Sequence, residues 1–330
     1  MKYSLFTLGF IFALGLPAFS TGKQKHSKKR KAPAPQIQVT PPQPSENHSS
    51  YPYITGYTFR SMCDFILDSN TNNLNPSKVE AGDIIFVSHT FIETFFTEYC
   101  PKISRPFILL THHCYDNGDA STPGPYAHYL ENKKLIVWFT VNADIVHPKV
   151  KPLPLGIPNS FYGNLGNTKV YDHYIKTVRQ SPKTKLLYSN FDTSNNHAER
   201  SYVRTLFADK TFCTTPPRKE QPEYLVDLSQ HKFILSPPGE GIDCFRTWEA
   251  LFMGSIPIVR SSALDVLFKD LPVLIIHDWQ EITEEFLEQK YKEFQAKETS
   301  YRYEKLYIPY WINELLKWKF TARLSYAGEL

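Results

Sequence analysis

The stretch at residues 233–260, FILSPPGEGIDCFRTWEALFMGSIPIVR, constrains the fold more than any other part of the chain. Two short apolar runs, 233–235 and 256–259, are typical of buried parallel strands, and prolines and glycines interrupt the chain after the first run. Asp243 is a candidate helix N-cap, and Gly254 ends the helix. Apolar side chains recur at helical spacing between them: Phe245, Trp248, Leu251 and Phe252. The stretch therefore predicts a strand-helix-strand crossover, which is right-handed in nearly all proteins.

The loop at residues 236–241 predicts a phosphate site. A glycine-containing turn that opens onto a helix N-terminus presents unpaired backbone N–H groups and the positive end of the helix dipole. One turn into the helix, the planar guanidinium of Arg246 could clamp a diphosphate, and the carboxylate of Glu249 could accept hydrogen bonds from ribose hydroxyls. The alternative is a structural turn with a surface ion pair between these two side chains. The candidate nucleotide-binding residues are Ser236, Gly239, Gly241, Asp243, Arg246 and Glu249.

Length and composition allow two domains. The chain has 330 residues, of which 42% are hydrophobic and 15% aromatic, and this is enough for two sizeable cores. The formal net charge of +4 comes from the N-terminal 50 residues, which carry seven Lys or Arg and the single acidic residue Glu46. The rest of the chain is slightly acidic, so we expect no nucleic-acid partner.

Residues 1–20 are predicted to be a signal peptide or a signal anchor. Lys2 precedes an apolar run, and Ala18 and Ser20 suit signal-peptidase cleavage. The basic cluster that follows resists translocation, so the alternative is a membrane anchor with a cytosol-facing catalytic domain. Residues 21–50, basic and proline-rich, are predicted to form an extended linker that could touch a membrane surface. We therefore expect an exported or membrane-associated protein.

The five cysteines are widely separated and form no Cys-x-x-Cys pair. Such spacing does not favour a zinc site, and we expect no bound metal. If the chain is exported, the cysteines could form disulfides. Buried free thiols are the alternative.

Strand-like and helix-like segments alternate in two successive halves, residues 51–180 and 181–330. Such alternation predicts an α/β protein with two Rossmann-like, doubly wound domains that face each other across a cleft. The predicted strands outside the stretch 233–260 are 83–87, 107–110, 135–139, 153–157, 185–188, 210–213 and 273–276. The predicted helices are 57–67, 89–99, 126–131, 165–179, 197–207, 222–230, 283–297 and 302–319. The last of these carries a broad aromatic face.

Residues 224–283, with HKFILSPPGEGIDCFRTWEALFMGSIPIV and LPVLIIHDWQEIT, resemble the donor-side signature of the exostosin-like glycosyltransferases. Two upstream segments, FILLTHHCYDNGD at 107–119 and HPKVKPLPLGIPNS at 147–160, are similar to N-terminal-domain segments of the same group. The resemblance implies a GT-B architecture, in which the C-terminal domain holds most of a sugar nucleotide. It also implies inverting transfer, with the diphosphate at the loop 236–241, Arg246 neutralising the leaving group and Glu249 holding the ribose.

The chain contains no Asp-x-Asp triplet of the kind that metal-dependent glycosyltransferases use. We therefore expect metal-independent transfer, with no cofactor besides a nucleotide-sugar donor, for which UDP-sugar is our choice. The chain departs from the family pattern at Glu240, where Asn is common, and at Phe245, where His is frequent. A catalytically inactive glycan-binding or scaffold protein is the alternative. A nicotinamide oxidoreductase fits less well, because the loop lacks G-x-G-x-x-G spacing.

Inverting transfer requires a general base near the acceptor hydroxyl. His112 and Asp116 follow the predicted strand 107–110, and open parallel sheets bind ligands at the carboxyl ends of their strands. They are the candidate catalytic residues, and the alternative is a loop stabilised by its own polar side chains. Weaker candidates at the same edge are His89, Asn142, Asp144, Asn159 and Ser160. The sequence thus predicts transfer of a sugar from a nucleotide sugar to a hydroxyl of a glycan or glycoconjugate acceptor.

Overall fold

The computed structural model describes residues 50–112 and 121–328. The strands in these ranges are β1 Phe65–Leu67, β2 Asp83–Val87, β3 Phe107–Thr111, β4 Leu135–Thr140, β5 Val150–Pro152, β6 Lys185–Tyr188, β7 Cys213–Thr214, β8 His231–Leu235, β9 Ile256–Arg260 and β10 Leu274–Ile276. The α-helices are α1 Gly56–Arg60, α2 Ile92–Thr94, α3 Thr168–Thr177, α4 His197–Phe207, α5 Gln221–Gln230, α6 Phe245–Phe252, α7 Asp265–Phe268, α8 Glu284–Ala296 and α9 Ile308–Gly328. A π-helical turn, Phe95–Tyr99, extends α2, and 3₁₀ segments include Gly124–Glu131 and Ser160–Gly166.

The first sheet pairs its strands in chain order, β1-β2-β3-β4-β5, and every pair is parallel. All five residues of β2 and of β3 are buried. Continuous burial is expected of parallel strands that are covered on both faces, and it explains why these strands are uninterrupted apolar runs. The predicted strands 83–87, 107–110 and 135–139 are confirmed.

The C-terminal helix α9 covers one face of this first sheet. Successive side chains of a strand point to opposite faces, and on β4 Trp138 contacts Phe96 whereas Phe139 contacts Trp318 of α9. The ammonium group of Lys319 lies 2.6 Å from the carboxylate of Asp64. Sequence analysis grouped this helix with residues 181–330, but in the structure it packs on the first sheet. Within the described residues, no helix is both long and apolar enough to span a membrane.

The second sheet has the order β7-β6-β8-β9-β10, again with parallel strands. Its winding reverses between β6 and β8, so it is doubly wound with a topological switch point between these two strands. The stretch 233–260 forms β8, α6 and β9, as its pattern predicts. The predicted α/β class with two parallel sheets is confirmed. The predicted doubly wound topology holds for the second sheet only, because the first sheet follows chain order without a reversal.

In the second half of the chain, the predicted strand 210–213 and helix 302–319 are observed as Cys213–Thr214 and Ile308–Gly328. Two larger differences from the sequence prediction lie in the first half. The predicted helix 57–67 ends at Arg60, because residues 65–67 pair with β2 as an added edge strand. The predicted strand 153–157 is wrong, since the strand is Val150–Pro152 and the following residues leave the ladder. Residues 153–157 are apolar because they are buried next to α6, where the backbone N–H of Leu155 donates to the side chain of Asp243.

Candidate functional site

A cleft of about 1020 Å³, here called the main cleft, opens at the switch point of the second sheet. One wall consists of the segments that follow β6, β7 and β8, together with side chains of α4, α5 and α6. The other wall includes Leu155, Pro158 and Leu165, which come from the part of the chain between the two sheets. Open α/β sheets bind ligands outside the carboxyl ends of strands at a switch point, so this cleft is the candidate site.

Asp243 ties helix α6 to the opposite wall. The helix begins at Phe245 with Cys244 as its N-cap, so the expectation that Asp243 is the N-cap is wrong. The Asp243 carboxylate instead accepts hydrogen bonds from the backbone N–H of Cys244 and Leu155 and from the indole N–H of Trp248, at 2.8, 2.9 and 2.8 Å. Asp243 is 5% exposed. Three donors compensate for removing its charge from water, and this makes Asp243 a structural bridge.

Gly241 is needed for a close approach between the two halves. A Cβ atom at this position would lie 2.2 Å from Nδ2 of Asn142, which follows β4 in the first sheet. The side-chain oxygen of Asn142 accepts a hydrogen bond from the backbone N–H of Asp243 at 2.8 Å. The glycine therefore lets the loop 236–241 pack directly on the first half of the chain.

Arg200 supports the same loop from the side of the second sheet. A Cβ atom at Gly239 would lie 2.7 Å from Nη2 of Arg200. The buried guanidinium donates to the carbonyl oxygens of Pro238 and Asp192 at 3.0 and 2.8 Å. Sequence analysis missed this residue, because carbonyl acceptors leave no pattern in the sequence. Ser236, by contrast, hydrogen-bonds to Thr247 and lines a separate pocket of about 190 Å³.

Arg246 carries an unused donor in the main cleft. Its Nε donates to the carbonyl oxygen of Asn190 at 3.1 Å, and its guanidinium lies over the ring of Phe191, 5.4 Å from the centroid. Its Nη1 is buried and has no hydrogen-bond partner among residues 50–112 and 121–328. A buried donor without a partner costs about 1–3 kcal/mol. An acceptor atom of a bound ligand would remove this cost.

The main cleft is rich in cations. Its basic side chains are Arg200, Arg204, Arg218, Lys219 and Arg246, and its acidic ones are Asp192, Glu240, Asp243 and Glu249. Burial lowers the pKa of Arg200, and the nearby charge of Arg246 lowers it further. Asp243 is saturated by donors and Glu240 is exposed to solvent. Arg246, whose Nη1 has no partner in the described residues, is therefore the cation best placed to meet an anionic ligand.

Glu249 is buried beside Arg246 and is 6% exposed, so the alternative of a surface ion pair between them is wrong. Its Oε1 accepts a hydrogen bond from the phenol of Tyr171 at 2.8 Å. Burial raises the pKa of Glu249, while the hydrogen bond from Tyr171, the charge of Arg246 and a hydrogen bond from Tyr224 partly oppose this rise. The carboxylate lines the main cleft but is already held by phenols.

We expect the Glu249→Gln variant to lose part of the pH dependence of stability. The folded-state pKa of Glu249 is above its unfolded value, so its contribution to stability is present below the unfolded pKa and is lost as pH rises through the folded pKa. As pH rises from about 4, near the usual pKa of an unfolded glutamate, the free energy of unfolding of the wild type should therefore fall relative to that of the variant. Urea unfolding at several pH values measures this difference, with the exposed Glu285→Gln as the control. Parallel profiles for wild type and Glu249→Gln would disprove it.

Of the two candidate bases, His112 and Asp116, only His112 lies within the described residues. His112 is fully buried, its Nε2 hydrogen-bonds to the carbonyl oxygen of Pro154 at 2.9 Å, and its ring packs on Phe59. His112 is not among the residues that line the main cleft, and a fully buried ring does not favour proton abstraction from an acceptor. Asp116 lies outside the described residues.

The weaker polar candidates stabilise loops at the edge of the first sheet. His89 hydrogen-bonds to Thr122 at 2.9 Å, and the side chain of Asn159 accepts from the backbone N–H of Tyr57 at 3.1 Å. Asp144 accepts from the backbone N–H of Gly124 at 3.3 Å. These contacts give each of the three side chains a structural role at the edge of the first sheet.

Comparison with known proteins bears mainly on the second half of the chain. A family model described as the RXYLT1 C-terminal domain matches residues 167–326, the range that contains β6 to β10 and most of the main cleft. The match is to a glycosyltransferase-type domain and supports glycosyl transfer in general. No curated protein sequence matches the chain significantly.

Solved structures show only distant similarity. The α,α-trehalose 6-phosphate synthase of Burkholderia multivorans is 9% identical, with 76% of this chain and 73% of that chain covered and a TM-score of 0.40. The UDP-forming α,α-trehalose-phosphate synthase of Burkholderia vietnamiensis is 11% identical, with coverages of 77% and 76% and a TM-score of 0.36. The N-terminal domain of the Candida albicans trehalose-6-phosphate phosphatase is 13% identical, with coverages of 74% and 73% and a TM-score of 0.34. Similarity this low carries no argument, and the fold assignment depends on the strand topology.

Proposed function

We propose that this protein is an inverting glycosyltransferase that moves a sugar from a UDP-sugar to a hydroxyl of a glycan or glycoconjugate. The observation that carries the proposal is the buried, unpartnered Nη1 of Arg246 in a cation-rich cleft at the switch point of the second sheet. A diphosphate supplies the acceptor oxygens and the negative charge that this arrangement lacks. The family match over residues 167–326 supports the same reading.

The reaction proposed for this site breaks the bond between the anomeric carbon and the β-phosphate oxygen while an acceptor oxygen attacks from the opposite face. Negative charge develops on the departing UDP. Arg246, fixed by the carbonyl oxygen of Asn190 and by the ring of Phe191, would stabilise that charge, and the N-terminus of α6 adds its dipole. Arg200 would act indirectly, because its hydrogen bonds hold the loop 236–241 in position.

We propose that transfer does not need a metal, because the arginines of the main cleft provide the positive charge that a divalent cation supplies in other transferases. Release of UDP from UDP-sugars, measured with a panel of glycan acceptors, should therefore continue unchanged in EDTA. Activity that disappears in EDTA and returns with manganese would refute this expectation. UDP binding without turnover on any acceptor would instead favour the competing function, a glycan-binding or scaffold protein that retains the cleft.

Asp116 is our choice for the general base, since the burial of His112 leaves it poorly placed for this role. In the Asp116→Asn variant, kcat should fall by roughly 100-fold, a typical loss when a general base is removed. The affinity for UDP should not change, because the proposed donor contacts lie in the second half of the chain. Initial-rate kinetics and calorimetry separate the two effects, and Asp119→Asn is the matched control. Full activity in Asp116→Asn would exclude it as the base.

We also propose that residues 1–20 direct export or anchor the chain to a membrane, as their composition predicts. N-terminal sequencing of the mature protein distinguishes a cleaved signal from a retained anchor. Protease accessibility in intact cells or vesicles then shows which side of the membrane the main cleft faces.

A further inference from the structure

A buried amide at the edge of the main cleft has one unused hydrogen-bonding atom. Gln221, the first residue of α5, is 4% exposed and lines this cleft. Its Nε2 donates to the carbonyl oxygen of Leu165 at 2.8 Å and to the phenol oxygen of Tyr171 at 2.9 Å. Its Oε1 is buried and has no partner in the described parts of the chain.

The neighbours of Gln221 fix the orientation of its amide. A backbone carbonyl can only accept a hydrogen bond, so the atom that faces the oxygen of Leu165 must be the amide nitrogen. The two N–H bonds are then both used, one to Leu165 and one to Tyr171. Oε1 is consequently an acceptor that faces away from both partners.

The phenol of Tyr171 makes this arrangement rigid. Tyr171 is fully buried and donates onward to Oε1 of Glu249 at 2.8 Å, so a continuous chain of hydrogen bonds links Gln221 to the carboxylate. Gln221 also lines a side pocket of about 540 Å³ that adjoins the main cleft. An acceptor held in one position, beside accessible volume, can discriminate between ligands that have and lack a donor there.

The main cleft thus contains two buried polar atoms without partners, and they have opposite character. Arg246 offers a donor and Gln221 offers an acceptor. A nucleoside diphosphate is complementary to both, because its phosphates carry only acceptors near neutral pH while its ribose hydroxyls and the imide of a base such as uracil carry O–H and N–H donors.

We propose that Gln221 determines nucleoside specificity, with its Oε1 accepting a hydrogen bond from an O–H or N–H donor of the bound nucleotide. This inference rests on the proposed function, since it requires a nucleotide in the main cleft. The donor is either the imide N–H of uracil or a ribose hydroxyl. A ligand that lacks this donor leaves Oε1 buried and unpaired, and its affinity should be lower by roughly 10- to 100-fold.

Calorimetry on the full chain tests the proposal with four nucleotides: UDP, CDP, 2′-deoxy-UDP and 3′-deoxy-UDP. We expect UDP to bind the wild type at least roughly tenfold more tightly than one of the analogues. Weak binding of CDP identifies the imide as the donor, and weak binding of a deoxy analogue identifies that hydroxyl. Equal affinity for all four nucleotides overturns the inference but leaves the proposed function standing. If none of the four nucleotides binds, both are overturned.

The Gln221→Met variant tests whether this residue causes the difference in affinity between UDP and the weaker analogue. Methionine has a similar length and lacks the amide oxygen, so UDP should bind the variant as weakly as the discriminated analogue does, and the ratio of the two affinities should fall to about one. The exposed Gln289→Met serves as the matched control and should keep the wild-type ratio. Thermal melting checks that Gln221→Met is folded, and if it is not, the wild-type ratios decide. A folded variant with an unchanged ratio overturns the assignment.

Discussion

The Arg246→Ala variant should bind UDP about 10- to 100-fold more weakly than the wild type, because a charge-assisted hydrogen bond to phosphate contributes about 1.5–3 kcal/mol. The guanidinium offers a buried Nη1 that the described residues leave without an acceptor. Isothermal titration of UDP into both proteins measures the change. Arg246→Lys should lose less, since lysine keeps the charge but not the planar fork.

The matched control for this prediction is Arg302→Ala. Arg302 is half exposed and pairs with Glu304 on the surface, so its removal should leave UDP affinity unchanged. If the affinity of Arg246→Ala for UDP is within about twofold of that of the wild type, Arg246 is not a diphosphate ligand. The main cleft is then no longer assigned as the diphosphate site.

Replacement of Asp243 with alanine should lower the free energy of unfolding by about 3 kcal/mol or more. The substitution leaves three buried donors without an acceptor: the backbone N–H groups of Leu155 and Cys244 and the indole N–H of Trp248. Each buried donor costs about 1–3 kcal/mol when it is unpaired. Urea unfolding measures the loss, and the exposed Asp209→Ala is the control.

This substitution also separates two roles for Asp243. Sequence analysis included it among the nucleotide contacts, whereas its hydrogen bonds in the structure join α6 to the segment around Leu155. A structural bridge predicts a large loss of stability. A variant with wild-type stability and weaker UDP binding would instead support a direct nucleotide contact.

The crossover from β8 to β9 could be predicted from sequence because its information is local. Apolar runs mark the strands, helical spacing marks α6, and Gly254, with φ of +73°, ends the helix in the left-handed conformation that glycine tolerates. The same holds for β2, β3 and β4. Arg246 and Glu249 were selected from this local pattern, and the structure brings both to the main cleft.

Residues whose roles depend on distant partners could not be read in this way. The partner of Asp243 is the backbone of Leu155, 88 positions away, and that of Gln221 is Leu165, 56 positions away. Arg200 donates mainly to backbone carbonyl oxygens, with one further contact to Sγ of Cys244. Backbone partners impose no residue type, so such contacts leave no signal in a single sequence.

The strand prediction at 153–157 is wrong for a related reason. Burial of a short apolar segment does not distinguish a strand from an irregular segment between two sheets. Here the hydrogen bond from Leu155 to Asp243 satisfies a backbone group that a strand would have paired in its ladder.

The central claim is that Arg246 and the loop 236–241 hold a diphosphate at the switch point of the second sheet. A crystal structure of the full chain with UDP tests it most directly. We predict a diphosphate oxygen within about 3 Å of Nη1 of Arg246, at the N-terminus of α6. UDP bound outside the main cleft, or inside it with Nη1 of Arg246 still unpaired, would contradict the claim.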